Sequence, residues 1–309
     1  MIEQPLASII LPIRAVEPEQ REIERLERLM TTIPAAYEVV IVDDGSSRLV
    51  YRHLCSRYSE WKKYRPVLQL RRLRTSRRRF SLARARNHGA KHACTPVVIF
   101  HDVDFIGVAT TYERILKHIQ KIDLVNHPEN FFCIPVTFLN EPGTEYFLNA
   151  FERNEEAWCF RNYDNWPHEQ MNFLVQGSSC MVLNRKDLMR MGGHDQGFRG
   201  HGAEDFELLH RLSTRFPIAP RPPEYTRNMG SGNIKEYRGF RAYFALYGEQ
   251  ARKAGCTLVH LWHPKRQGNG YYRHKQNFKR LQKVLESDQC IRGWRRWISG
   301  FGVLKAGRR

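Results

Sequence analysis

The sequence predicts an α/β protein built on a mostly parallel central sheet with helices on both faces. Three observations point there. Short continuous apolar runs, Leu6 to Ile13, Tyr37 to Val42 and Pro96 to Phe100, have the length of strands buried on both faces. Segments with helical apolar spacing separate them. Two of the runs end in acidic turns, Asp43-Asp44-Gly45-Ser46 and Asp102-Val103-Asp104, and ligands of such sheets bind outside the carboxyl ends of the strands.

Taken in order, Leu6 to Ile13 is the first strand. Pro18 to Met30 follows as a helix with Ile23, Leu26 and Met30 on one side. Tyr37 to Val42 is the second strand and Val67 to Leu70 a third. Ser81 to His92 reads as a short helix capped by Ser81. Pro96 to Phe100 then delivers Asp102 and Asp104 to its carboxyl end. Beyond these, Phe131 to Phe138 reads as a strand, Glu145 to Phe160 as a helix, and Phe173 to Leu183 as a strand with a glycine-serine interruption. A glycine-rich loop leads into a helix beginning near Ala203. Residues 220–235 read as an exposed, mobile loop. A helix around Tyr237 to Lys253 and a short strand in CTLVHLW close the regular part.

At 309 residues the chain can bury a substantial core, and its 41% hydrophobic and 27% charged residues exclude a disordered composition. No segment reaches 18 uncharged apolar residues, and the apolar run near the N-terminus is too short to span a bilayer and lacks signal-peptide flanks. The seven cysteines form no CxxC pair, as expected of reduced thiols in a cytosolic protein. A net charge of +18 favours anionic partners: nucleic acid, acidic lipid or phosphorylated small molecules.

Four stretches carry candidate chemistry. Asp102 and Asp104 offer hard oxygen ligands suited to magnesium or manganese, which bind jointly with substrate phosphates; a solvated turn would carry the same acids. Glu204-Asp205 opens a helix after two glycines and His201. Capping explains acids there, and so does a general base beside a ligand that approaches the glycines closely. His260 and His263 could complete a mixed nitrogen-oxygen metal site if the fold brings them to the Asp102 turn. The run from Lys62 to Arg79 holds nine basic residues in 18, without a zinc-finger, helix-turn-helix or RNP pattern. Farther on, Trp294 and Trp297 stand among arginines in the tail, a composition suited either to a membrane interface or to packing on the core.

The ordered series ASIILPIR, VVIVDDGSS, SLARARNHGA, VVIFHDVDF, VQGSSCMVLNRKDL, GGHDQGFRGHGAEDFELLHRL and VHLWHP resembles GT-A fold glycosyltransferases. It is most similar to family 2-type bacterial capsule or lipopolysaccharide enzymes, with a C-terminal half like β-1,4-galactosyltransferases and chondroitin polymerases. The resemblance implies a GT-A domain over residues 1–265, with a nucleotide-binding half (1–125) and an acceptor-side half (126–265). Residues 266–309 then form a basic extension that could associate with a membrane.

The resemblance also implies roles. Pro12 and Arg14 would lie in a nucleotide-contacting loop, Asp43 or Asp44 would hydrogen-bond uracil, and Arg84 would help hold the nucleotide. Asp102, Val103 and Asp104 match the DxD, with Asp104 the firmer contact to a diphosphate-bound Mn2+ or Mg2+. Gln176 and Gly177 would border the donor sugar. Glu204 and Asp205 match the acceptor-side acids, with Asp205 as base, and His260 or His263 would complete the metal site. His201 departs from the pattern, standing where the family often has tryptophan. The implied reaction is inverting transfer from a UDP-sugar to a glycan or glycolipid acceptor, in the cytoplasm, with peripheral contact to the anionic inner membrane and no nucleic acid. The rivals are a phosphosugar- or nucleotidyl-handling α/β enzyme, a basic nucleic-acid-binding α/β protein, and a non-catalytic relative.

Overall fold

A computed structural model describes residues 4–75, 77–153, 168–177, 180–229, 234–264 and 272–287. Its centre is a six-stranded sheet. The first four strands are β1 (Ala7–Ile13), β2 (Glu38–Asp43), β3 (Leu68–Arg72) and β4 (Val97–Phe100). They lie side by side and parallel in the order β3-β2-β1-β4, with Ile9 opposite Val39 and Ile99. Every residue of β1, β2 and β4 is buried, which is why these strands read as unbroken apolar runs.

Helix α1 (Arg21–Thr32) buries Ile23, Leu26, Leu29 and Met30, together with Arg25. Helices α2 (Arg48–Trp61), α3 (Leu82–His92) and α4 (Ala109–Lys121) supply further cover. Ser81 caps α3 by accepting a hydrogen bond from the Arg84 amide. Helices α2 and α4 are absent from the sequence-based reading. Only Val50, Leu54 and Trp61 of α2 are buried, a sparse stripe, and α4 starts at Val108 without any side-chain cap.

The segment Phe131 to Phe138 is not one strand but two. A short β5 (Phe105–Ile106) comes first in the chain; then β6 (Phe132–Cys133) joins the large sheet and β7 (Val136–Leu139) a second sheet. Pro135 stands at the switch, where the lack of an amide hydrogen interrupts the ladder while its carbonyl accepts from Leu258. The segment Phe173 to Leu183 divides likewise into β8 (Met171–Val175) and β9 (Met181–Asn184), the latter antiparallel to β4. Helix α5 (Glu141–Glu152) begins four residues ahead of its predicted start, with Asn140 as cap; the rest of its predicted span lies outside the described residues.

The second sheet has the order β5-β11-β7-β8, where β11 is Leu258–His260. Helices α6 (Arg185–Arg190), α7 (Glu204–Arg215) and α8 (Gly239–Lys253) follow in the second half of the chain. The last helix among the described residues, α9 (residues 274–287), sends Leu281 and Leu285 into the common core. The predicted mobile loop at 220–235 is described in part and contains the short strand β10 (Asn228–Met229). Cys55, Cys94, Cys133, Cys180 and Cys256 are free thiols. No helix among the described residues is long and apolar enough to cross a membrane.

Candidate active site

Strand β4 ends at Phe100, and the chain turns through His101, Asp102, Val103 and Asp104 into β5. Because β5 pairs antiparallel with β11, Phe105 lies opposite His260. This pairing brings VHLWHP to the acidic turn, which sequence spacing alone could not establish. Ligand atoms of Asp104, His260 and His263 all lie within 4.8 Å of one another, so both histidines, and not one of them, stand at the site.

The donor set suits a divalent cation. The ring of His260 stacks on Phe138 at 4.3 Å, and burial pushes its pKa down to about 4, leaving it neutral. Its Nδ1 is buried without a hydrogen-bond partner. Burial works against the charge of Asp104, yet Arg25 above all, with His260 and His263, holds its carboxyl below the ordinary range. Arg25 donates to Asp104 Oδ1 and to the Trp262 carbonyl, while Oδ2 faces His263 Nε2 at 3.5 Å. A carboxylate oxygen and two imidazoles make a mixed oxygen–nitrogen donor set for a divalent cation.

Asp102 is outside that group. Its Oδ1 accepts from Arg86 Nη2 at 2.9 Å. The Arg86 side chain is wholly buried and also stands 3.4 Å from Glu204 Oε1. Burial disfavours its charge, but Asp102, Glu204 and Asp205 more than offset this and raise its pKa. One arginine therefore joins the turn after β4 to the start of α7.

The turn Gly200-His201-Gly202-Ala203 positions α7. Gly200, Gly202 and Ala203 have φ of 71°, 119° and 67°, a left-handed path that glycine adopts freely and alanine at a cost. Glu204 is buried and accepts from the Gly202 amide at 2.8 Å. Asp205 instead lines a cavity of about 300 Å³ shared with Asp102, Asp104, His260 and His263. Its Oδ1 accepts from the Phe206 amide, which leaves Oδ2. Burial, then the Glu204 charge, pushes its pKa up to about 6. His201 is on the same wall; burial lowers its pKa, opposed by Asp205, and the Tyr272 and His274 rings meet it edge-on.

The other predicted residues divide. Pro12, Arg14, Val103 and Gly177 line the cavity. Gly177 is required by close approach, since a Cβ there would lie 2.6 Å from the Phe244 carbonyl carbon. Gln176 is not on the wall: its amide donates to the Ala245 carbonyl and to Glu249. Nor are Asp43 and Asp44. Asp43 is buried beneath Arg72 and accepts from the Ser46 amide. Asp44 takes both oxygens to Arg84 and also accepts from Thr75 and the Ser81 amide. Arg84 thus orders the Asp44 loop. Sequence reasoning missed Arg25 and Arg86. Arg25 stood inside an apolar helical stripe, and Arg86 two residues from Arg84 in ARARN, hence on another face of the helix; a buried position for either was the available signal.

The sequence profile of the family described as "Glycosyltransferase like family 2" matches residues 8–286. A search of curated proteins gives no match. Solved structures with similarity include S. aureus TarS 1–349, at 18% identity and TM-score 0.43, covering 67% of this chain and 54% of that one. The mannosyltransferase PcManGT from Pyrobaculum calidifontis, in complex with GDP-Man and Mn2+, has 18% identity and TM-score 0.43 over 87% of this chain and 59% of that one. GalNAc-T7 with UDP, GalNAc and Mn2+ has 14% identity and TM-score 0.49 over 92% and 48%. The chain thus aligns with about half the length of each of these proteins. With the profile spanning nearly the whole sequence and the strand order on the page, the chain belongs to glycosyltransferase-like family 2 and has the GT-A fold.

Proposed function

We propose that the protein transfers a sugar, with inversion, from a UDP-sugar to a hydroxyl of a glycan or glycolipid, in capsule or lipopolysaccharide assembly. What supports this most is one cavity that presents both the Asp104–His260–His263 donor set and Asp205. Asp104, His260 and His263 would hold a divalent cation, which when bound would supply positive charge against the departing diphosphate. Asp205 Oδ2 takes the proton of the acceptor hydroxyl as its oxygen forms a bond to the anomeric carbon. The carbon–oxygen bond to the diphosphate breaks, and its electron pair leaves with UDP. A single displacement inverts the linkage. A carboxyl near pH 6 suits a general base at neutral pH. Phe138, Phe173, Phe206 and Tyr237 line the cavity and offer apolar faces to sugar rings while excluding water. Arg86 holds Asp102 and Glu204 in place between the donor and acceptor sides.

The test is UDP release from UDP-Gal, UDP-Glc, UDP-GalNAc, UDP-GlcNAc and UDP-GlcA, with manganese and with EDTA. Turnover of one donor that needs metal and disappears in Asp104→Ala is the expected result. If no donor turns over and calorimetry detects no binding of UDP with manganese, the proposal fails.

A further inference from the structure

A second cavity, of about 420 Å³, adjoins the active-site cavity across Phe80, which lines both. Arg78, Arg79, Arg84, Arg199 and Arg273 all line it, without one carboxylate among its lining residues. Arg84 is neutralised by Asp44 behind the wall. The guanidinium groups of Arg78, Arg79, Arg199 and Arg273 have no carboxylate partner among the described residues. Four cations facing one space without a counter-charge repel one another, and an anion between them removes that repulsion.

The arginines also sit on a braced frame. Ser81 bridges to Gly200 and His201 to Tyr272 through backbone pairing. Asn277 donates to the carbonyls of Arg199 and Gly202, and the Arg273 amide donates to His201. The backbone segments bearing Arg84, Arg199 and Arg273 are thereby tied together, and the forked guanidinium groups they carry suit bidentate recognition of phosphate.

We propose that this arginine-lined cavity binds a phosphate group carried by the acceptor, and so selects phosphate-bearing acceptors. The inference rests on the glycosyl-transfer reading above. The acceptor side is favoured by position: the 196–200 wall runs directly into His201 and Asp205, where the attacking hydroxyl must lie, whereas the donor diphosphate belongs at Asp104. The phosphate is either a diester within the glycan or the group joining a glycan to lipid; both present the same oxygens.

Binding is measured with two probes, a short soluble oligomer of glycerol phosphate and phosphatidylcholine vesicles carrying phosphatidic acid, against the full chain. The variants are Arg199→Gln/Arg273→Gln, Arg78→Gln/Arg79→Gln in the segment before α3, and Lys117→Gln/Lys186→Gln as an exposed charge control. Affinity for one probe should fall about tenfold or more per arginine in both arginine pairs, with no such fall in the control. UDP-with-manganese affinity should stay constant in all three. The probe affected names the source of the phosphate. Undiminished binding of both probes in the arginine pairs overturns the proposal, as does an equal loss in the lysine control. Loss of UDP affinity alongside overturns it too, because the cavity would then serve the donor. Failure of the unmodified protein to bind UDP defeats the transfer reading instead, a result distinct from any phosphate outcome.

Discussion

Asp205 and Glu204 are adjacent acids with different surroundings. Glu204 faces Arg86 and the Gly202 amide, whereas Asp205 faces the cavity with its pKa raised to about 6. A base must be deprotonated to act, so turnover should rise with pH through about 6 and level off above it. Asp205→Asn should lower kcat by about 10²- to 10⁴-fold while calorimetric affinity for UDP with manganese is kept; an unchanged kcat would move the base elsewhere. Arg86 supports the site differently, by holding two carboxylates from a buried position. Arg86→Met leaves both without their cation, and urea unfolding should show a loss of about 3–5 kcal/mol. Arg86→Lys keeps the charge but cannot fork between Asp102 and Glu204, so it should lose more activity than stability.

At the scale of elements, the site depends on where two sheets meet. β4 brings the acidic turn from the large sheet, β11 brings the histidines in the small one, and the β5–β11 pairing joins them. Gly177, just past β8, lets the chain lie against the backbone of α8. Gly177→Ala places a methyl group within the radius of the Phe244 carbonyl. It should destabilise the fold by about 1–3 kcal/mol, read as a lower denaturation midpoint, with metal binding less affected. The buried strands of the first half were legible because a run apolar on both faces has few other uses. The split at Pro135 was not, since each half of Phe131 to Phe138 has strand character and only the partner strands assign it to a sheet.

The net charge of +18 belongs to the whole molecule. If residues 291–309, with their tryptophans and arginines, anchor the protein, deleting them should release it from anionic vesicles in a sedimentation assay. Undiminished sedimentation would assign attachment to residues 1–290, which include the arginine cavity. The sequence by itself determined the fold class and the strands of the first half, because burial periodicity and turn chemistry are local. It did not determine that Arg86 joins Asp102 to Glu204, that Asp43, Asp44 and Gln176 lie off the cavity wall, or that five arginines share one space. Those facts bring together residues up to 195 positions apart in the chain, as with Arg78 and Arg273. Only the packing of strands and helices decides which distant side chains face each other, and which of their charges burial then perturbs.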